Sequence, residues 1–169
     1  TIEFFVWSDN FSSVGTNFDM RKDHATSVMS NSNSSGQYRL YANSGYRITA
    51  DTAVTAKTWN HIAFTRTSGV WRMYVNGLLQ STTYDDSSAN YTGNIVYIGS
   101  ERDTTTELTG YISNFRMVIG SVVYTGDSFA VPTSALTAVS NTKLLTCQNA
   151  APTSITNGAY HFTTTSSRL

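Results

Sequence analysis

Trp59-Asn60-His61-Ile62-Ala63-Phe64-Thr65-Arg66-Thr67-Ser68-Gly69-Val70-Trp71-Arg72-Met73-Tyr74-Val75-Asn76-Gly77 contains two apolar runs and both turns needed to fold them back on one another. Ile62, Phe64 and the stem of Arg66 fall on one face, Trp59, His61, Ala63 and Thr65 on the other. Met73 and Val75 likewise alternate with Arg72, Tyr74 and Asn76. That period is two, the period of a strand. Ser68-Gly69 can supply the positive φ of a tight loop, and Asn76-Gly77 is the pair that a two-residue type I′ hairpin prefers. A third strand is therefore expected to run back through residues 78–81. Three antiparallel strands follow from local chemistry alone.

Working outward, residues 2–8 alternate Ile2, Phe4 and Val6 against Glu3, Phe5 and Trp7, a strand with both faces partly covered. Residues 9–24 carry no clean period and read as a long rim loop, the kind of loop that is often functional. Short strands are expected at 25–30 and 36–42, and Asn43-Ser44-Gly45 turns the chain into Tyr46-Arg47-Ile48-Thr49. The exposed face of that hairpin carries Tyr38 or Tyr41 with Arg39 and Arg47. Residues 83–94 read as a polar loop bracketed by Tyr84 and Tyr91, 95–100 as a strand, 101–107 as a charged loop and 109–119 as a long strand. Beyond it the pattern loosens: a bend and short strand at 120–124, one helical turn at 134–137 after Pro132, and an apolar strand at 143–148. The fold class is thus all-β, with at most that one short helical turn.

The strings Trp59-Asn60-His61-Ile62-Ala63, Tyr74-Val75-Asn76-Gly77, Tyr97-Ile98-Gly99 and Leu108-Thr109-Gly110-Tyr111-Ile112-Ser113-Asn114-Phe115-Arg116 occur in that order. Together they resemble the laminin-G-like, concanavalin A-like lectin/glucanase domain. The resemblance implies an antiparallel two-sheet jelly-roll β-sandwich, a single domain over residues 1–169. Thr1-Ile2-Glu3-Phe4-Phe5-Val6 resembles an early strand of that family, with Phe5 where the family usually has Trp, and it makes Glu3 a structural acceptor. Val123-Tyr124-Thr125, Phe129, Pro132, Leu136 and Lys143-Leu144-Leu145-Thr146-Cys147-Gln148 further resemble a subgroup of virion proteins from tailed bacteriophages. Gly158-Ala159-Tyr160-His161-Phe162-Thr163 resembles the family's first strand, displaced to the end of the chain. Residues 155–169 are therefore expected to fill the first-strand position, by permutation or by donation to a neighbouring copy. A chain that starts at Thr1 within a strand pattern is also expected to be processed, excised or part of a longer polypeptide.

Composition narrows the function. Eleven basic and eleven acidic residues balance to zero, only 13% of residues are charged, and no Lys/Arg cluster forms. That argues against a phosphate-tracking nucleic-acid binder. No apolar run approaches the roughly 18 residues of a membrane-spanning helix. The single cysteine, Cys147, has no internal disulfide partner and reads as a small buried hydrophobe. The retaining glucanase pair, Glu-x-Asp-x-Glu or Glu-x-Asp-x-x-Glu on one strand, is absent, so no enzyme activity is expected. Glu101, Asp103 and Glu107 are the nearest approach to it. No Gly-x-Ser-x-Gly elbow accompanies His24, His61 or His161.

What remains is binding. Sugar recognition joins aromatic faces to planar polar partners. Tyr84, Asp85, Asn90 and Tyr91 in one loop, with Arg102 and Asp103 in the next, are the candidate glycan residues, and Tyr38, Tyr41 and Arg39 form a second set. The family resemblance also brings calcium into consideration, with Asp9, Asp19, Asp85, Asp86 and Asp103 as candidate ligands and solvated turn residues as the alternative reading. The expected function is a non-catalytic structural or adhesion module of a virion, tail fibre or capsid decoration in type, with host-glycan binding. The alternative is a secreted carbohydrate-binding or adhesion domain of a larger protein. Expected partners are glycan or other virion proteins, with homo-oligomerisation, at a virion surface or in an extracellular setting.

Overall fold

A computed structural model describes residues 1–22, 27–93, 95–103 and 106–148, together with the backbone of 160–162. Among the described residues thirteen strands follow in chain order: β1 Ile2–Ser8, β2 Gly15–Asp19, β3 Val28–Ser32, β4 Tyr38–Ala42, β5 Gly45–Thr49, β6 Trp59–Thr67, β7 Val70–Val75, β8 Leu78–Leu79, β9 Tyr84–Asp85, β10 Tyr97–Ile98, β11 Gly110–Val118, β12 Thr142–Thr146 and β13 Tyr160–Phe162. They form two antiparallel sheets. The larger runs β12-β11-β1-β6-β7-β8, with β13 on β11 and β9 on β7; the smaller runs β10-β2-β3-β4-β5. This is the all-β jelly-roll sandwich expected from the sequence.

The central meander forms as its turns dictate. Ser68 and Gly69 sit at φ 49° and 83°, Asn76 and Gly77 at 50° and 78°, and Leu78–Leu79 pairs back on β7. Ile62, Phe64, Met73 and Val75 enter the core, where Phe18 of the small sheet meets Phe4, Phe64 and Phe115 of the large one. Gly77 is doubly constrained, because a Cβ there would lie 2.3 Å from the Phe129 carbonyl oxygen. Gly77→Ala is therefore expected to cost roughly 1–3 kcal/mol or more from the left-handed φ and the backbone clash together, read as a lowered thermal midpoint.

The centre of the large sheet's outer face is buried as well as its inner face. Glu3, His61, Ala63 and Tyr74 are all inaccessible, because residues 119–141 cross over them. Tyr124 and Phe129 stack at 3.6 Å, and Phe129 packs on His61 and Tyr74. Glu3 accepts from Arg116 (2.8 and 2.6 Å), the Tyr124 hydroxyl (2.6 Å) and His61 Nε2 (3.1 Å). Burial alone would raise the Glu3 pKa, but these hydrogen bonds and the Arg116 charge outweigh it and hold the carboxyl below its ordinary value. An ionised carboxylate only accepts, so His61 Nε2 carries the proton. The structural role expected for Glu3 is thus the one it has.

Several expectations need correction. Residues 9–24 are not one loop, since β2 lies within them and its Phe18 is a core residue. Residues 83–94 are not wholly a loop either, because Tyr84–Asp85 pairs with β7. Tyr38 points into the core, leaving Tyr41 on the outer face. No helical turn forms at 134–137 and no strand at 120–124. There the polar groups serve the sheet below: Leu136 N–H donates to Asn114 Oδ1, Thr137 O accepts from Arg116, and Val123 N–H donates to Thr1 Oγ1. Cys147 is buried. Of residues 155–169 only the backbone of β13 is described, paired with Gly110–Ile112 of β11; the expectation for the rest, like that for His24, falls outside the described residues.

Candidate functional site

With one sheet face covered by chain, the outer face of the small sheet is the broad surface left to consider. Strand alternation there brings Tyr46, Tyr41, Met29, Asp19 and Tyr97 into one cross-strand row, with Thr49, Arg39, Asn31 and Thr16 in the next. Asn43 and Ser44, at φ 45° and 62°, make the turn that sets Tyr46 opposite Tyr41. The residues interlock. The Arg39 guanidinium lies 3.7 Å over the Tyr46 ring and donates through Nε to Asn31 Oδ1 at 3.0 Å, while Asn31 Nδ2 donates to the Tyr46 hydroxyl at 3.0 Å. Tyr41 meets Tyr46 edge to face at 5.3 Å.

Beneath this platform the acids are already engaged. Asp19, fully buried, accepts from Arg21 Nε and Nη2 at 2.9 and 2.7 Å and from the Arg102 backbone N–H at 3.0 Å. Arg21 also pairs with Glu101 and lies 5.3 Å over Tyr41. β2 and β3 are therefore closed on this side, and the platform opens at β4 and β5, where Tyr46 is 47% exposed. Such a surface offers aromatic faces to C–H groups and phenol and guanidinium edges to hydroxyl groups.

The residues proposed from sequence are separated by the fold. Asn90 and Tyr91 line a cleft of about 710 Å³ at the end of the sandwich, with Trp71, Arg66 and Met117. Three of these lining residues donate to the buried Asp86: Trp71 Nε1 (3.0 Å), Arg66 Nε (2.8 Å) and the Tyr91 hydroxyl. Burial and the Asp86 carboxylate push the Tyr91 hydroxyl pKa well up. Tyr84 is half-buried against the core and accepts from Asn43 at 2.9 Å. Asp85 is exposed and accepts from the Ser87 N–H. Arg102 and Asp103 border a smaller cleft of about 310 Å³ with Arg21, Lys22 and Tyr97.

The five calcium candidates do not converge. Asp9 makes a 3.9 Å ion pair with Lys57, Asp103 pairs with Arg102, and Asp19 and Asp86 are saturated by protein donors. Among the described residues no three acidic, His or Cys side chains come together as a metal site. The donor set thus does not fit the ion. Asn31 and Tyr46 were missed in the sequence, although the Asn43-Ser44 turn already implied that Tyr46 faces Tyr41.

Comparison with known proteins agrees with the architecture. Residues 1–120 match the family model described as the concanavalin A-like lectin/glucanases superfamily. No curated protein matches the sequence. Among solved structures the chain is similar to a native heptameric SAP-like pentraxin from Limulus polyphemus, at 17% identity and a TM-score of 0.53, covering 68% of this chain and 61% of that one. It is also similar to a protein of Bacteroides ovatus ATCC 8483, provisionally named a carbohydrate binding protein, at 17% identity and a TM-score of 0.55, covering 68% of this chain and 35% of that one. The chain spans less than two thirds of either, and at this identity the likeness is one of fold.

Proposed function

Since the chain belongs to the concanavalin A-like lectin/glucanases superfamily, we propose that it is a non-catalytic carbohydrate-binding domain whose ligand lies on Tyr41, Tyr46 and Arg39, with the buried Asn31 holding Arg39 and Tyr46 in place. The observation that carries this reading is the preassembled Arg39–Tyr46–Asn31 unit, whose rings and edges are fixed before a ligand arrives. Preorganisation of this kind removes part of the ordering cost of binding. Similarity in fold to a protein named for carbohydrate binding supports it. The Asn90–Tyr91 cleft is a second surface, but its polar groups are spent on Asp86.

A glycan array is the direct test. Binding is expected, and Tyr46→Ala is expected to weaken it roughly tenfold, about 1.4 kcal/mol, by removing the ring and the support under Arg39. Signal is expected to survive a calcium chelator, because the candidate carboxylates are dispersed. A blank array, or full binding by Tyr46→Ala, would sink the reading. A β-glucan hydrolysis assay checks the non-catalytic part.

Placement on a virion is a further part of the proposal. It rests on the resemblance of the 123–148 segment, which lies beyond the residues matched by the family model. Native mass spectrometry tests the self-assembly that placement requires.

A further inference from the structure

We propose that the platform prefers anionic saccharides, carrying a carboxylate or a sulfate, and that the Arg39 guanidinium binds that oxyanion. The inference rests on the carbohydrate reading above and names the ligand class of the same surface. A guanidinium carries five N–H donors. Arg39 spends one of them, at Nε on Asn31, and neither Nη has a protein partner among the described residues. The group is nevertheless held, stacked at 3.7 Å on Tyr46. A fixed fork with free donors matches the two oxygens of a carboxylate or sulfate in a way that a flexible ammonium does not.

Charge on the surface points the same way. Arg21, Arg66, Arg102 and Arg116 each have a carboxylate partner. Arg39 has none among the described residues, whereas Arg47, on the adjoining strand of the same hairpin, is turned to the core-packed Tyr84 and to the Ala42 and Asn43 carbonyls. The acids nearest the platform, Asp19 and Glu101, are taken by Arg21. An incoming anion therefore meets the uncompensated Arg39 guanidinium and, among the described residues, no competing free carboxylate of the platform. The Tyr46 hydroxyl accepts from Asn31 and so keeps its own proton to donate to a neighbouring sugar hydroxyl.

Calorimetric titration of the domain with three β-linked glucose oligomers of equal length, one neutral, one containing uronate and one sulfated, tests the inference. At least one acidic oligomer is expected to bind tenfold or more tightly than the neutral one, with the gap narrowing as salt rises. Whether uronate or sulfate leads identifies the source of the oxyanion. Arg39→Gln is expected to bring the acidic oligomer down to the affinity of the neutral one, and Arg39→Lys to restore only part of the difference, since it returns the charge without the fork. Equal affinities in the wild type, or a full acidic preference in Arg39→Gln, would overturn the anion inference while leaving the carbohydrate reading intact. Absence of binding by all three, in a domain with a normal thermal transition, would overturn both.

Discussion

Glu3→Gln is expected to destabilise the domain by about 3–5 kcal/mol, because it leaves the Arg116 guanidinium buried without its counter-charge. Glu3 is fully inaccessible and anchors three groups brought from elsewhere in the chain: His61 on the neighbouring β6, Arg116 on the neighbouring β11 and Tyr124 on the overlying segment. The midpoint of urea unfolding at pH 7 measures the loss. Replacing Glu3 by Leu and Arg116 by Met together should cost much less, since no lone charge is left behind. The pH dependence has a definite sign. The folded state holds the Glu3 pKa below its ordinary 4.5, so this stabilisation is complete above about pH 4.5 and disappears as pH falls through the depressed value. The wild type should therefore lose stability in acid, and its difference from Glu3→Gln should shrink there. A difference independent of pH would show that the carboxylate charge is not what holds the cluster.

Phe18→Ala is expected to have an effect of similar size, about 3–5 kcal/mol, for a different reason. Phe18 is completely buried, and its ring lies 6.0, 6.0 and 5.9 Å from those of Phe4, Phe64 and Phe115. It is the small sheet's plug in the large sheet's inner face. Close packing lets the surroundings collapse only partly around the void, so both the transfer term and the cavity term are lost. Chemical denaturation followed by tryptophan fluorescence reads the change. A loss below about 1 kcal/mol would mean that the two sheets can close over the gap, against the packing described here.

These two residues mark the limits of what the sequence disclosed. Glu3 was legible as the odd member of a strand and its structural role could be anticipated, but its partners lie 58, 113 and 121 residues away. Phe18 reads as a loop residue in the sequence because β2 is only five residues long and interrupted by an irregular register against β3. A strand of that length has too few alternations to reveal its period. The candidate site was legible in part. Arg39 and Tyr41 are legible as candidates, but whether Tyr38 or Tyr41 takes the exposed face stays open in the sequence, because alternation alone does not say which face the core will claim. Asp86 reads as an available ligand because its partners Arg66 and Trp71 lie 20 and 15 residues away, whereas the partner that consumes Asp19, Arg21, is only two residues on.

What the sequence determined by itself is what short-range chemistry controls. The turns at Asn43-Ser44, Ser68-Gly69 and Asn76-Gly77 require positive φ and have residues that accept it, and period-two runs between them fix which side chains share a face. What only the tertiary structure decided is which of those faces stay open. Residues 119–141 cross the outer face of the large sheet and bury Glu3 and His61 there, whereas the outer face at β4 and β5 keeps Arg39 and Tyr46 accessible. Covering a face is a contact between segments distant in the chain, so it is set by the packing of whole sheets and not by the preferences of neighbouring residues.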